Sequence, residues 1–205
     1  GKFILTGSSV PVNPNKIFHS GAGRIYKLNM YTMSLYESND SEGIVSLNDL
    51  FQNKNITSKL KEKPSLQKLA DLIIRGGWPA SLKFKPENYY RLPESYITDV
   101  LDHDISYDGV KRDKEKMLML LKSLARNETT LVTNEKIISD IEEYTNEKNY
   151  QTSRITISDY LNVLENIHLT KNQLPYSENI RSSVRVGKTS KRHLIDPSLA
   201  CSLLG

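Results

Sequence analysis

A short apolar run near the start of the chain constrains the possible fold more than any other feature. Residues 3–5 read Phe-Ile-Leu and lead directly into the small polar residues Thr6, Gly7, Ser8 and Ser9. Such a run is typical of a central strand of a parallel sheet, where α/β proteins place ligands at the carboxyl edge. Because a parallel strand needs neighbouring strands and crossover helices to cover both faces, we expect this chain to be a piece of a larger protein.

Composition is typical of a soluble protein with one or two domains. The chain has 205 residues, of which 38% are hydrophobic and 25% are charged, and this length suffices for a buried core. No apolar stretch approaches the length of a membrane span, so we expect no membrane partner. A single cysteine, Cys201, excludes an internal disulfide and predicts a reducing, cytoplasmic location. We expect its thiol to be packed in the core.

Periodicity in the first half of the chain predicts one strand and several helices. Residues 25–33 alternate between apolar and polar side chains, as a half-buried strand does. Ser46 is positioned to start a short helix through residue 51. Amphipathic helices are predicted at 65–74 and 93–105, and the glycines that follow the first of them predict its C-terminal end.

The second half has a different pattern, with three helices followed by two strands. The helices are predicted at 114–127, 134–145 and 157–167, and the strands at 168–176 and 192–196. Thr133 and Thr156 are the predicted N-caps of the second and third helices. Three helices and a two-stranded hairpin form the outline of a winged helix. The fold class is therefore predicted to be α+β and mostly helical, with a domain boundary near Asp108-Gly109.

Several motifs in order carry a family resemblance. In the first half they are FILTGSS at residues 3–9, HSGAGRI at 19–25, MSLYES at 33–38 and RGGWPA at 75–80. In the second half they are LARN at 124–127, TISDYLNVL at 156–164 and KRHLIDPSLA at 191–200. Together they cover nearly the whole chain. The chain resembles a prokaryotic family of AAA-type P-loop ATPases that carry a winged helix and a nuclease-like domain behind the ATPase core.

The resemblance implies a division into four parts. Residues 1–64 are the C-terminal part of the ATPase core, from the sensor 1 strand onward, and 65–108 are the helical lid. Residues 109–196 are the winged-helix-like domain, and 197–205 begin a truncated nuclease-like region. The Walker A and Walker B segments are then expected before Gly1. The partners implied are this missing N-terminal ATPase half and either further copies of the chain or another protein.

The resemblance also implies cofactors and catalytic residues. ATP and magnesium belong to the parent protein, and neither is expected to bind tightly to this chain. Gly187-Lys188-Thr189 is not a phosphate loop, because Ser182 occupies the position of the first glycine that such a loop requires. Thr6 or Ser8 is the sensor 1 residue, unless these hydroxyls only cap a strand.

Two further sites are predicted in turns. Arg24 lies on a glycine-rich turn and is either an arginine finger that stabilises the transition state in a neighbouring subunit or a surface charge. Gly77 and Pro79 have the spacing of the Gly-x-Pro that packs against adenine in related ATPases. The alternative at this position is a helix C-cap with Trp78 in the core, and the two interpretations are compatible.

Charge argues against DNA recognition by the second and third helices. Residues 134–167 contain three basic and seven acidic side chains, whereas residues 171–196 contain six basic and two acidic ones. Because phosphate contacts supply much of the affinity for DNA, any nucleic-acid contact is predicted in the wing, at Arg185, Lys188, Lys191 and Arg192. The other use of a winged helix is as a protein-interaction or packing module.

The sequence therefore supports two functions. The first is a fragment of an ATP-binding AAA-type ATPase that couples nucleotide state to a winged helix and has no ATPase activity by itself. The alternative is a winged-helix DNA-binding or regulatory protein. Asp196 is the one residue that points to the nuclease-like domain, and a metal-dependent nuclease needs further acidic or lysine partners. We expect no metal site, because the four histidines have no metal-ligand spacing.

Overall fold

The fold is α+β and mostly helical, as predicted, with seven α-helices and two strands in the part of the chain that the structure describes. The computed structural model describes residues 3–8, 23–26, 28–55, 63–145, 152–176, 178 and 189–205. The helices are α1 (Leu47–Phe51), α2 (Leu66–Arg75), α3 (Arg91–Asp102), α4 (Lys114–Arg126), α5 (Asn134–Thr145), α6 (Arg154–Asn166) and α7 (Pro197–Leu204). The strands are β1 (Thr170–Gln173) and β2 (Lys191–Leu194).

Helix α4 lies at the centre of the core. Its apolar side chains Met117, Leu120 and Leu121 are fully buried, and their spacing places them on one face of the helix. The helix packs against α3, α5 and α7 and against strand β2. Leu164 of α6 and Leu199 of α7 are also fully buried in this core. The second half of the chain therefore forms a continuous apolar core.

Helix starts follow local side-chain chemistry. Thr133 Oγ1 accepts a hydrogen bond from Lys136 N–H at 3.2 Å, which confirms the predicted N-cap. Helix α6 begins earlier than predicted, because Ser153 Oγ accepts from Thr156 N–H at 3.1 Å and is its N-cap. Thr156 lies in the first turn, so its prediction as an N-cap is wrong. The capping oxygen of α6 is therefore supplied by Ser153, three residues before the predicted position.

The two strands form an antiparallel hairpin, as predicted. Thr170 pairs with Leu194 and Gln173 pairs with Lys191. Leu169 and Leu194 are buried in the core, which fixes one face of the hairpin against the helices. Backbone hydrogen bonds between Arg192 and the loop that joins α4 and α5 also hold the hairpin there.

The strands predicted in the first 33 residues are wrong for the residues that the structure describes. Residues 3–8 and the described part of 25–33 form no strand. Phe3, Ile4 and Leu5 are 88%, 94% and 89% exposed, so the apolar run is not buried. The physical reason is that parallel pairing requires neighbouring strands, and the described residues supply none beside these segments.

The last helix belongs to the same packed unit as the helices before it. Helix α7 contacts α2, α3 and α4, and Leu199 and Leu203 lie in the common core. The predicted lid and the predicted winged-helix region are thus joined by α7. The assignment of residues 197–205 to a nuclease-like region remains a prediction. Among the helices described, none has the length and apolar character needed to cross a bilayer.

Candidate functional site

The turn that ends helix α2 brings three distant parts of the chain together. Gly76 is the C-cap and has a φ of 66°, a conformation that glycine adopts without strain. This confirms the predicted helix end. A Cβ at Gly76 would overlap Asp196 Oδ1, and a Cβ at Gly77 would overlap the backbone of Met33. Both positions therefore require glycine, because other segments approach them closely. We call residues 76–78, 196 and 198 the junction.

Asp196 is the buried centre of the junction. Its side chain is the N-cap of α7, and the residue is 1% exposed. The carboxylate accepts hydrogen bonds from Gly77 N–H at 2.8 Å, from Ser198 N–H at 3.0 Å and from the Ser198 hydroxyl at 2.6 Å. Charge-assisted bonds of this kind, together with the N-terminal end of a helix, compensate a carboxylate for lost solvation. The junction therefore depends on Asp196.

Trp78 extends the junction into the core. Its indole Nε1–H donates to Ser198 Oγ at 2.8 Å, and its ring lies 5.0 Å from the ring of Tyr96. The ring also packs against the core cluster. This confirms the interpretation of the turn as a C-cap with Trp78 in the core. Burial also raises the pKa of the Tyr96 hydroxyl, and Asp104 adds to this effect.

A segment that includes a turn at residues 35–39 crosses the junction, and we call residues 31–40 the strap. At its first end, Lys171 Nζ donates to the Tyr31 hydroxyl at 2.6 Å and lies 4.0 Å from the centre of the Tyr31 ring. Next, the Thr32 hydroxyl donates to the carbonyl of Ile195 at 3.4 Å. Met33 N–H then donates to the carbonyl of Gly77 at 2.7 Å. Three consecutive strap residues thus contact β1, the end of β2 and the junction.

The other end of the strap is fixed to helix α2. Asp40 forms ion pairs with Arg75 at 2.6 Å and with Lys68 at 3.2 Å. Arg75 is 6% exposed and also donates to Ser38 Oγ at 3.2 Å. Burial raises the pKa of Asp40, but the hydrogen bonds from Arg75, Ser38 and Lys68 outweigh it and leave the pKa below its usual value. Asp40 is therefore held as a carboxylate.

The predicted catalytic residues have no hydrogen bond to the described residues of the junction. Thr6, Ser8 and Arg24 are exposed, and no hydrogen bond joins them to other described residues. Gly77 is buried in the junction, whereas Pro79 is exposed at the first position of a 3-10 helix, Pro79–Lys83. The structure thus brings none of the three predicted catalytic residues into contact with Gly77 or Pro79. Their roles remain predictions.

Sequence reasoning missed Ser198 and the strap, and it considered Asp196 only as a nuclease residue. One local signal was present, because Asp-Pro at 196–197 is a typical helix start with an N-cap and proline at the first helical position. No such signal marks the strap contacts, since Tyr31 and Lys171 are 140 positions apart in the chain. Contacts over this separation depend on the tertiary structure.

A polar groove lies between helix α6 and the hairpin. It encloses about 230 Å³ and is lined by Asn134, Ser158, Leu161, Asn162, Glu165, Asn172, Thr189, Ser190 and Arg192. Arg192 donates from Nη2 to the side-chain oxygen of Asn134 at 2.9 Å. Burial lowers the pKa of Arg192, and the nearby Glu165 carboxylate opposes that effect. The groove therefore combines hydrogen-bonding side chains with charges of both signs.

Only two of the four predicted nucleic-acid residues lie in the part of the chain that the structure describes. Lys191 is exposed at the end of the hairpin and Arg192 is half-buried, whereas Arg185 and Lys188 lie outside the described residues. On the helices, Arg154 Nε is 2.9 Å from Glu135 Oε1, so its charge is balanced by an ion pair. The helical side of the groove therefore adds no excess positive charge.

Within the described ranges, no group of three or more His, Cys, Asp or Glu side chains is arranged to hold a metal ion.

Over the residues that the structure describes, the fold is mostly helical α+β with one small antiparallel sheet. Residues 66–205 match a family described as a domain of unknown function (DUF8612), and the chain belongs to this family. The matched region begins at the first residue of α2, so it contains the whole junction but not the strap. No curated protein and no solved structure matches the chain.

Proposed function

We propose that the chain is part of an AAA-type ATPase in which the nucleotide state is coupled to a winged-helix module. The winged helix comprises α4, α5, α6 and the hairpin, and helix α2 belongs to the lid. The observation that carries this proposal is the hydrogen bond from Gly77 N–H to Asp196. It joins the turn after the lid helix to Asp196, the second residue after β2 and the N-cap of α7.

Burial makes this hydrogen bond an effective mechanical link. Asp196 is 1% exposed, so withdrawal of Gly77 would leave a buried carboxylate with one partner fewer. The cost of an unsatisfied buried charged group exceeds that of a broken surface hydrogen bond. A shift of the turn at residues 76–78 is therefore expected to move Asp196 and the start of α7 with it.

The hydrogen bonds of Gly77 limit how an adenine base could bind at this turn. The N–H of Gly77 donates to Asp196 and its carbonyl accepts from Met33, so both backbone groups are already paired. An adenine at this turn would have to pack on the exposed side of Pro79. Binding there would place the base next to the link between lid and hairpin, as coupling requires.

A DNA-binding role is the second candidate, and it rests on the exposed Lys171 and Lys191 of the hairpin. Two features of the groove favour a protein-interaction role instead. Glu165 lines the groove and would repel phosphates, and Arg192 already donates to Asn134. We therefore propose protein interaction as the main use of the winged helix.

The ATPase assignment can be tested at the gene and then in the encoded protein. The coding sequence upstream of Gly1 is expected to encode a strand followed by G-x-x-x-x-G-K-[ST]. The full protein is expected to hydrolyse ATP with magnesium and to lose this activity when that lysine is replaced by alanine. An upstream sequence without the motif would refute the proposal.

The coupling is tested separately with Asp196→Asn in the full protein. This change removes the charge but keeps the size of the side chain. It is expected to leave ATP binding intact while abolishing any difference between the ATP-bound and ADP-bound forms in protease cleavage of the hairpin. A nucleotide-dependent cleavage pattern that survives Asp196→Asn would refute coupling through this link.

A further inference from the structure

We propose that the strap is a releasable latch that fixes the hairpin relative to helix α2. When the strap is in place, the hairpin is held at a defined position. When it detaches, the hairpin loosens while the helical core remains folded. This proposal concerns the chain itself and does not depend on the ATPase assignment.

The strap joins the hairpin to helix α2, and these two elements otherwise have few direct contacts. Residues 31–33 contact Lys171, Ile195 and Gly77. Asp40, at the other end, is paired with Arg75 and Lys68 of α2. The strap therefore extends from the hairpin to α2, and its loss would remove these contacts at both ends.

Several contacts of the strap are more exposed or longer than those of the junction beneath it. Tyr31 is 48% exposed, the Lys68 side chain is 53% exposed, and the Thr32 hydrogen bond is long at 3.4 Å. Exposed ion pairs contribute little to stability, whereas the Asp40–Arg75 pair is buried and holds the α2 end of the strap more firmly. The bonds of Asp196, by contrast, lie in a fully buried site. Because regions with few buried contacts open first, the hairpin end of the strap should detach before the junction opens.

The hairpin is held on the helices by Glu128, which accepts a hydrogen bond from Leu194 N–H at 3.0 Å, and by two longer backbone bonds. Thr129 N–H donates to the Arg192 carbonyl at 3.3 Å, and Arg192 N–H donates to the Thr130 carbonyl at 3.4 Å. Hydrogen bonds of this length are near the limit of useful geometry. The strap adds contacts to both strands, at Lys171 and next to Leu194 at Ile195. Its release should therefore increase opening of the hairpin.

Amide hydrogen exchange in the full 205-residue chain tests the latch. The variant is Asp40→Asn, which weakens the attachment to α2 and is remote from the hairpin. The matched control is Asp49→Asn, which removes an exposed ion pair with Lys54 at 2.8 Å outside the strap. Asp40→Asn is expected to accelerate exchange in residues 170–173 and 191–195 by about three- to tenfold, the size of a local opening change. Helix α4 should remain protected, and the control should match the wild type.

Two results would overturn the proposal. One is faster exchange in Asp40→Asn that is confined to the strap and α2, with the hairpin unchanged. The other is an equal effect from Asp49→Asn. If Asp40→Asn unfolds the whole chain, Tyr31→Ala is the alternative test. It changes an exposed side chain and removes the strap contact at the hairpin end. It should accelerate exchange at residues 38–41, at the opposite end of the strap, and unchanged exchange there would refute a continuous latch.

Discussion

Buried charged side chains in this protein are each matched by several polar partners. Arg112 is 8% exposed and donates to both Asp108 and Asp159 and to the Ile105 carbonyl. Asp140 accepts from Ser123 at 2.8 Å and forms an ion pair with Lys136 at 2.7 Å. Burial raises the pKa of Asp140, but these contacts outweigh it and lower the pKa. Removing a single partner should therefore be costly.

The Arg112–Asp108 pair predicts a dependence of stability on acid. The hydrogen bond from Arg112 lowers the pKa of Asp108 from 3.8 to about 2. Since the folded-state pKa is depressed, the stabilisation is complete above the unfolded-state pKa and is lost as pH falls through about 2. After allowance for solvent screening, we expect the free energy of unfolding to lose about 1 kcal/mol from Asp108 as the pH falls from 5 to 2. Urea unfolding of wild type and Asp108→Asn over this range measures it, and parallel pH curves would contradict it.

Gly77→Ala tests the close approach of the strap. The added Cβ would overlap the Met33 backbone, and overpacking of this kind costs about 1–3 kcal/mol. The control is Gly109→Ala, where a Cβ meets open space and the φ of 82° is the source of strain. That strain costs about 1 kcal/mol. We expect Gly77→Ala to lower the free energy of urea unfolding more than the control and to shift Trp78 fluorescence. A smaller effect than Gly109→Ala would contradict this.

At the scale of elements, charge separates the hairpin from the helices beside it. Lys171 and Lys191 are exposed on the strands. Glu135 is paired with Arg154, and Glu165 accepts from Asn172 at 3.1 Å. A polyanion would therefore approach the hairpin rather than α6.

This asymmetry predicts the character of any DNA binding. Reversing Lys188 and Lys191 to glutamate should abolish it, whereas Asn162→Ala on α6 should change it little. Affinity should be largely independent of base sequence and should fall by about 0.9 log unit per contacted phosphate for each decade of salt. Fluorescence anisotropy with two unrelated duplexes measures both. Sequence-selective binding that depends on Asn162 would contradict the prediction, and no binding at low salt would favour protein interaction.

At the scale of the whole molecule, one core joins the predicted lid and the predicted winged helix. Helix α7 is in contact with α2, α3 and α4, and the junction adds polar bonds at its N-terminus. The two parts are therefore expected to unfold together.

The isolated chain is predicted to have no ATPase activity. A P-loop lysine and backbone amides hold the β- and γ-phosphates, and a Walker B acid helps to hold magnesium. Under the proposed function, another part of the parent ATPase supplies these groups. Phosphate release by the purified chain should equal the buffer blank. Magnesium-dependent turnover that co-purifies with the chain would contradict this.

Arg24→Ala tests the prediction that Arg24 is an arginine finger in the proposed parent ATPase. If Arg24 stabilises the transition state in a neighbouring subunit, hydrolysis should fall by about 10³-fold or more while nucleotide binding is retained. Mixing this variant with a Walker lysine variant should restore some turnover at shared interfaces. Unchanged turnover in Arg24→Ala would indicate that Arg24 is an ordinary surface charge.

The sequence by itself determined the hairpin and six of the seven described α-helices in their order, whereas α7 was not predicted. Periodicity and caps act within a few residues, so α4 and α5 begin where the pattern predicted, and Thr133 caps α5. The run at residues 3–5 was predicted as a buried strand and is exposed, because a parallel strand exists only with its neighbours. Gly77 and Asp196 are 119 positions apart, and their contact, like that of Tyr31 with Lys171, depends on packing of the core between them. Only the tertiary structure decided the junction and the strap.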